Sequence, residues 1–98
     1  MGKEGPFVIL EAVNDGEKPV TLISIHIMVR GARKRMYIKS SLPRKLNEGD
    51  SFMQQLSRKE LLESLKDLRD DPPWKCTVVF YSNSGRKYTK GVTFAPDP

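Results

Sequence analysis

The sequence predicts a mainly β fold, a sandwich of six to seven short strands with Greek-key connections and one short α-helix before the last hairpin. Two observations predict this fold class. Short apolar or alternating segments recur at near-regular intervals, with turn-forming residues between them. Only one segment carries apolar residues at helical spacing, which argues against alternating βα units. The 98 residues fit one small core, so we expect a single domain over residues 1–98 with loose termini at 1–6 and 95–98.

The first two strands are predicted at Phe7–Val13 and Val20–Arg30. Residues 14–19 between them favour a turn, because Asn and Asp bond to their own backbone and Pro fixes φ. From Ile23 onwards the second strand alternates between apolar and polar residues, which predicts one buried and one polar face. The predicted buried face consists of Ile23, Ile25, Ile27 and Val29, and the polar face of Ser24, His26, Met28 and Arg30. Because the residues before Ile23 have the opposite phase, we expect a β-bulge near Leu22–Ile23.

The remaining strands are short and are separated by turn-forming residues. They are predicted at Arg35–Lys39, Ser51–Leu56, Lys75–Tyr81 and Lys87–Phe94. Leu42–Leu46 is interpreted as a connector without strand structure. In the third of these strands the alternation places Cys76, Val78 and Phe80 on one face. Residues 83–85 then form the loop of the last hairpin.

A helix is predicted after Ser57, because Ser57 and Glu60 have the spacing of a capping box. Its apolar residues recur at helical spacing and form one stripe: Leu61, Leu62, Leu65 and Leu68. The helix ends before residues 70–73, since Pro cannot continue it. We expect the stripe to pack as core. An alternative is that Leu62 and Trp74 form part of a surface that binds a partner protein, because Trp is enriched at interfaces.

Several of these turn and core positions resemble those of one family. They are Val13–Gly16, Pro19–Leu22, Leu42 and Pro43, Leu46, Glu48–Ser51, the Leu-rich helix and Ser82–Tyr88. In this pattern the chain resembles small immunoglobulin-like domains of bacterial and phage hypothetical proteins. The resemblance implies an immunoglobulin-like Greek-key β-sandwich with no shared active site. The Cys–Trp–Cys pattern of antibody domains is missing, because Cys76 is the only cysteine.

The sequence offers little material for catalysis or metal binding, so we predict that the protein is not an enzyme and needs no cofactor. One His and one Cys, about fifty residues apart, do not supply a zinc site. His26 lies on the polar phase of its strand, without a Gly-x-Ser-x-Gly nucleophile. The glycines are scattered among turns and form no phosphate-binding loop. Cys76 is expected to be a buried thiol in a strand, with a reactive thiol as the alternative.

A basic segment between Arg30 and Lys45 stands out, because it contains no acidic residue. Its candidate binding residues are Arg30, Arg33, Lys34, Arg35, Tyr37, Lys39, Arg44 and Lys45. Such a patch binds nucleic acid or another polyanion by releasing counterions from the phosphates. Arg86, Lys87 and Lys90 extend the patch if the sheet order brings the last hairpin near. The alternative is a solvated edge strand whose charges keep it from pairing with another chain.

The primary functional hypothesis from the sequence is a non-enzymatic interaction module that binds an unknown protein partner. The second hypothesis is binding of nucleic acid or another polyanion through the basic segment, which the net charge of +5 favours. No apolar run approaches the roughly 20 residues of a membrane-spanning helix, and no signal peptide is evident at the N-terminus. We therefore expect a cytoplasmic protein without membrane insertion, and this chain can be a fragment of a longer protein.

Overall fold

The computed structural model describes residues 6–96 and shows a mainly β architecture within them. The predicted loose termini fall largely at residues 1–5 and 97–98, which lie outside the described residues. Seven strands and one helix are present in residues 6–96, and the helix precedes the last hairpin as predicted. They are β1 (Phe7–Val13), β2 (Val20–Val29), β3 (Arg35–Ile38), β4 (Arg44–Leu46), β5 (Ser51–Ser57), α1 (Arg58–Leu68), β6 (Trp74–Ser82) and β7 (Lys87–Phe94).

The strands form two separate sheets in which all neighbours are antiparallel. β1 pairs with β5 in a two-stranded sheet, with Leu10 opposite Gln54. The other five strands form the second sheet in the order β3-β2-β6-β7, with β4 also paired to β2. β4 and β3 pair with successive parts of β2, at Val20–Leu22 and Ile25–Met28 respectively. The long strand β2 therefore carries three neighbours and organises the larger sheet.

One cluster of buried side chains joins both sheets to the helix. Leu10 and Phe52 come from the two-stranded sheet, Ile25 and Ile27 from the five-stranded sheet, and Leu65 from α1. All of these side chains are buried. Because removal of apolar surface from water is the main favourable contribution to folding, this shared cluster holds the two sheets together. The five-stranded sheet thus has one face toward the core and one face away from it.

The predicted bulge in β2 is confirmed, and it changes the predicted position of one side chain. The pairing of β2 with β6 shifts register between Leu22 and Ser24, so Ile23 is the extra residue. Leu22 is buried, whereas Ile23 is exposed. The prediction that Ile23 belongs to the buried face was therefore wrong. The alternation of buried and exposed side chains along β2 changes phase after Ile23 and not before it. Ile25, Ile27 and Val29 are buried as predicted.

Two further predictions need correction. Leu42–Leu46 is not a plain connector, because its last three residues form β4 against the start of β2. Trp74 does not contribute to an exposed patch, because it is buried and its indole Nε1 donates a hydrogen bond of 2.6 Å to the carbonyl oxygen of Arg69. A three-residue segment carries no local pattern that predicts a strand, and β4 exists because it pairs with β2.

The predicted start of the helix is confirmed by its hydrogen bonding. The backbone N–H of Glu60 donates to Oγ of Ser57 at 3.3 Å, which satisfies one of the free donors at the helix N-terminus. Leu61 and Leu65 are buried, and the helix ends at Leu68 before the prolines. The Leu stripe therefore packs as core, as the spacing predicts.

Cys76 is a buried thiol, as predicted. Its burial raises the pKa of the thiol to about 11. Because the thiolate is the nucleophilic form, Cys76 is an unreactive thiol at neutral pH. The described part of the chain contains no helix that is long and apolar enough to cross a membrane.

Candidate nucleic-acid interface

Charge is strongly segregated between the two parts of the fold. Residues 20–46 and 74–96, which hold the five-stranded sheet and its connections, contain eleven of the 17 lysines and arginines and none of the 12 acidic residues. All acidic residues belong to the remainder of the chain, which carries β1, β5 and α1. A surface of one sign raises the local concentration of ligands of the other sign. The five-stranded sheet is therefore the part of the molecule suited to an anionic ligand.

The face of this sheet that points away from the core carries the polar phase of each strand. We call it the outer face. Side chains alternate along a strand, so the neighbours of buried Ile25, Ile27, Val78 and Phe80 lie on it. The register places the outer-face residues of different strands beside one another. They include Arg35 and Tyr37 of β3, His26 of β2, Lys75, Val79 and Tyr81 of β6, and Lys87 and Thr89 of β7.

A band of aromatic rings crosses three strands of the outer face, and a lysine on a fourth strand continues it. We call the whole feature the aromatic band. The ring centroids of Tyr37 and His26 are 4.3 Å apart with an interplanar angle of 66°, which is an edge-to-face contact. The centroids of His26 and Tyr81 are 4.5 Å apart. Nζ of Lys87 lies 5.5 Å from the centroid of the Tyr81 ring, within the range of a cation–π contact. The band therefore runs from β3 through β2 and β6 to β7.

Arg35 lies along this band and is held by neutral groups. Its guanidinium donates a hydrogen bond of 2.9 Å to the Tyr81 hydroxyl and lies 3.5 Å from Nδ1 of His26. Among residues 6–96, no carboxylate forms an ion pair with Arg35. A guanidinium has five N–H donors in a rigid fork that fits a phosphate group. The guanidinium of Arg35 is thus held in position, while most of its N–H donors remain available to a ligand.

The burial of Val79 indicates that the side chains of the outer face pack against one another. This side chain is buried, yet it does not belong to the core cluster. It lies opposite His26 in the register, and Tyr81 follows it on the same face of β6. Because the core is on the other side of the sheet, outer-face side chains must cover Val79. The aromatic band therefore has its own apolar base.

The titration of His26 makes the stability of the protein depend on pH. Partial burial, together with the positive charge of Arg35, lowers the pKa of His26 from its ordinary value of 6.5. The native protein therefore binds a proton at His26 less readily than the unfolded chain does. Stability is then lost as the pH falls through 6.5 towards the lower native pKa, because the unfolded state takes up the proton first.

We expect His26→Gln to remove this part of the pH dependence. The measurement is the urea midpoint of both proteins at about pH 7.5 and 5.5, where histidine is the side chain that ordinarily titrates. The wild type should lose more stability than the variant on acidification. Equal losses in the two proteins would contradict the lowered pKa of His26. The chain has a single histidine, so no second imidazole complicates the comparison.

The structure brings some of the predicted binding residues together and separates others. Arg35 and Tyr37 share the outer face, and Lys39 follows β3 directly. The exposed side chains of Arg33 and Lys34 lie in the connection between β2 and β3, while Lys45 pairs with Thr21.

Arg30 lies at one end of the sheet, in a cleft of about 590 Å³ that also contains Arg69 and Lys75. Arg44 is directed to the other side, with its guanidinium 5.4 Å from the centroid of Phe52.

The last hairpin contributes to the outer face in part. Lys87 lies opposite Tyr81 and joins the aromatic band, so the strand order brings this residue of the hairpin to the patch. Lys90 has the other phase and lines a groove with Ile9 and Val92, so it does not extend the patch. His26, Lys75 and Tyr81 were not predicted as members of the site. Their position on the polar phase of β2 and β6 was the available signal, and strand order supplied the rest.

The described residues 6–96 include no group of three or more His, Cys, Asp and Glu side chains arranged to hold a metal ion. No family model, curated protein or solved structure matches the chain.

Proposed function

We propose that this protein is a non-enzymatic module that binds nucleic acid through the outer face of its five-stranded sheet. One observation carries the proposal: the outer face carries Arg35, Lys75 and Lys87 beside a band of exposed and half-exposed rings, and the sheet with its connections contains no acidic residue. Each Lys or Arg that contacts a phosphate releases counterions, which supplies favourable free energy at low salt. The outer face combines this charge with rings that can contact bases.

The alternative explanation for the basic residues is protection of an edge strand. That explanation accounts for Arg35 on β3, because β3 is at one edge of the sheet. It does not account for Lys75, which lies on the interior strand β6. It also does not account for an Arg35 side chain that reaches across β2 to Tyr81. A binding surface explains both features.

For the architecture, we propose an immunoglobulin-like Greek-key sandwich. Two features of the strand order support it. The chain passes from β1 in one sheet to β2 in the other, and again from β5 through α1 to β6. In addition, β1 pairs with β5 and not with β2, and β2 pairs with β6. Such sandwiches present a sheet face, edges and loops as binding surfaces.

Charge reversal on the outer face tests the proposed function. We expect the triple variant Arg35→Glu, Lys75→Glu, Lys87→Glu to bind a labelled DNA or RNA oligonucleotide at least about 100-fold more weakly than wild type at low salt. The three side chains lie on β3, β6 and β7 and are exposed. Fluorescence anisotropy at about 50 mM salt measures the affinity, and repetition at about 200 mM gives the salt dependence.

The matched control is Lys18→Glu, Lys59→Glu, Lys66→Glu. It changes the net charge by the same amount at three exposed positions outside the five-stranded sheet. It should lose far less affinity than the outer-face variant. Equal losses would show that only net charge matters, and absence of binding by wild type at low salt would refute the proposed function.

A second candidate function is protein binding, which the other sheet favours. Phe7, Ile9 and Val13 of β1 and Met53 of β5 are each more than half exposed. The β1 register places Met53 opposite Glu11, between Ile9 and Val13, so the four apolar side chains share one face with the carboxylate of Glu11. Exposed patches of this kind mark interaction sites. A partner captured by wild type and lost in Ile9→Ser, Met53→Ser would support this function, whereas capture that survives the double substitution would contradict it.

A further inference from the structure

From the geometry of the aromatic band we infer that the outer face binds single-stranded nucleic acid, with an unpaired base stacked on Tyr37. This inference rests on the proposed nucleic-acid function and specifies its substrate. Tyr37 carries it, because this residue is 70% exposed although its ring contacts His26 of the packed outer face. The exposed surface of this aromatic side chain is available for a base to stack on.

One aromatic neighbour restrains the ring of Tyr37 before any ligand arrives. Its contact with His26 is edge-to-face, at 4.3 Å between centroids, and His26 in turn contacts Tyr81. A ring restrained by its neighbours loses little conformational entropy when a base stacks on it. Stacking on an aromatic side chain is tolerant of sequence, because every base has a π-face.

Cationic groups border the platform at positions suited to the backbone of the same strand. Arg35 is two residues from Tyr37 on the same face of β3, and Tyr81 fixes its guanidinium through a hydrogen bond of 2.9 Å. Lys87 marks the far end of the band, 5.5 Å from the Tyr81 ring. Single-strand binding surfaces combine stacking rings with a positively charged path for the backbone. The outer face has both components on adjacent strands.

The width of the band argues against a duplex. It crosses four strands, and neighbouring strands are about 4.8 Å apart, so it extends over roughly 14 Å. The major groove of B-DNA is about 12 Å wide and admits a helix or a two-stranded ribbon. A sheet face of this width therefore meets a duplex only along its phosphates, where Tyr37 has no base to contact. An unpaired base, in contrast, can turn toward the ring.

The test compares single-stranded and duplex oligonucleotides of about 16 nucleotides or base pairs, as DNA and as RNA, with Tyr37→Ala and Tyr37→Phe. We expect Tyr37→Ala to weaken single-strand binding about 5- to 150-fold and to leave duplex binding unchanged. Tyr37→Phe retains the ring and should retain the affinity. Phe7→Ala serves as the matched control, since Phe7 is an exposed aromatic residue on the two-stranded sheet.

The outcomes separate this inference from the proposed function. If both forms of nucleic acid bind and Tyr37→Ala weakens neither, or weakens both equally, stacking on Tyr37 is refuted while the proposed function stands. If neither form binds wild type at about 50 mM salt, the proposed function itself fails. Thermal unfolding of the variants shows that the fold is intact, and the exposed position of Tyr37 outside the core predicts little change.

Discussion

Replacement of Phe52 by alanine is expected to lower the free energy of unfolding by about 3–5 kcal/mol. Phe52 is the largest fully buried side chain of the described residues, with 1% of its surface exposed. It projects from β5 into the cluster that joins the two sheets, so its removal leaves a cavity where the sheets meet. The cost combines lost transfer free energy with the cavity that the surroundings cannot fill.

Urea denaturation followed by circular dichroism measures this loss. A domain of this size has a stability of roughly 5–15 kcal/mol, so the expected change is a large part of the total. Phe52→Leu should cost clearly less, because it leaves a smaller cavity. Met53→Ala is the matched control, since the neighbouring Met53 side chain is mostly exposed. Equal stability of Phe52→Ala and Met53→Ala would contradict the packing of the two sheets around Phe52.

Replacement of Asn14 by aspartate is expected to cost about 2–4 kcal/mol, although the two side chains have the same shape. Asn14 is buried, and its Nδ2 donates hydrogen bonds of 3.0 Å to the carbonyl oxygens of Lys18 and Leu46. Its Oδ1 accepts a bond of 3.1 Å from the N–H of Gly16. Asn14 thereby ties the turn after β1 to β4. An ionised aspartate has no donor, so both carbonyl oxygens would face a negative charge.

The pH dependence of Asn14→Asp gives a specific check. Burial and the two carbonyl oxygens should raise the pKa of the introduced carboxyl above its ordinary value, and protonation restores one donor. The stability deficit relative to wild type should therefore shrink as the pH falls through the raised pKa. Denaturation midpoints over an acidic pH series measure it. A deficit that is small at neutral pH, or that grows on acidification, would contradict the role of Nδ2 as a double donor.

Local patterns in the sequence predict much of this fold. β1 occupies the predicted residues, and the capping box at Ser57 starts the helix where expected. The bulge near Leu22–Ile23 was predicted from a change of phase, but the phase alone does not say which residue is the extra one. Pairing of β2 with β6 decides that point and turns Ile23 to the solvent. Local signals thus locate the strands and the helix, whereas tertiary pairing determines which residue is the extra one in the bulge and which side chain is exposed.

The candidate site was less predictable than the fold, because its contacts depend on tertiary pairing between strands. The basic segment and Tyr37 are visible in the sequence because they are close along the chain. The contact of Arg35 with Tyr81 spans 46 residues and depends on both β3 and β6 pairing with β2. Burial of Val79 on the outer face likewise follows from strand order. No periodicity within a single strand carries that information.

The most direct test of the outer face as the binding surface is a chemical-shift titration. Isotope-labelled protein is titrated with a short single-stranded oligonucleotide at low salt, and the shift of each backbone amide is followed. We predict that the largest changes fall on β2, β3, β6 and β7, at residues such as His26, Tyr37, Tyr81 and Lys87. Amides of β1, β5 and α1 should remain nearly unchanged. Changes centred on Phe7–Val13 and Met53, or no changes at all, would contradict the account.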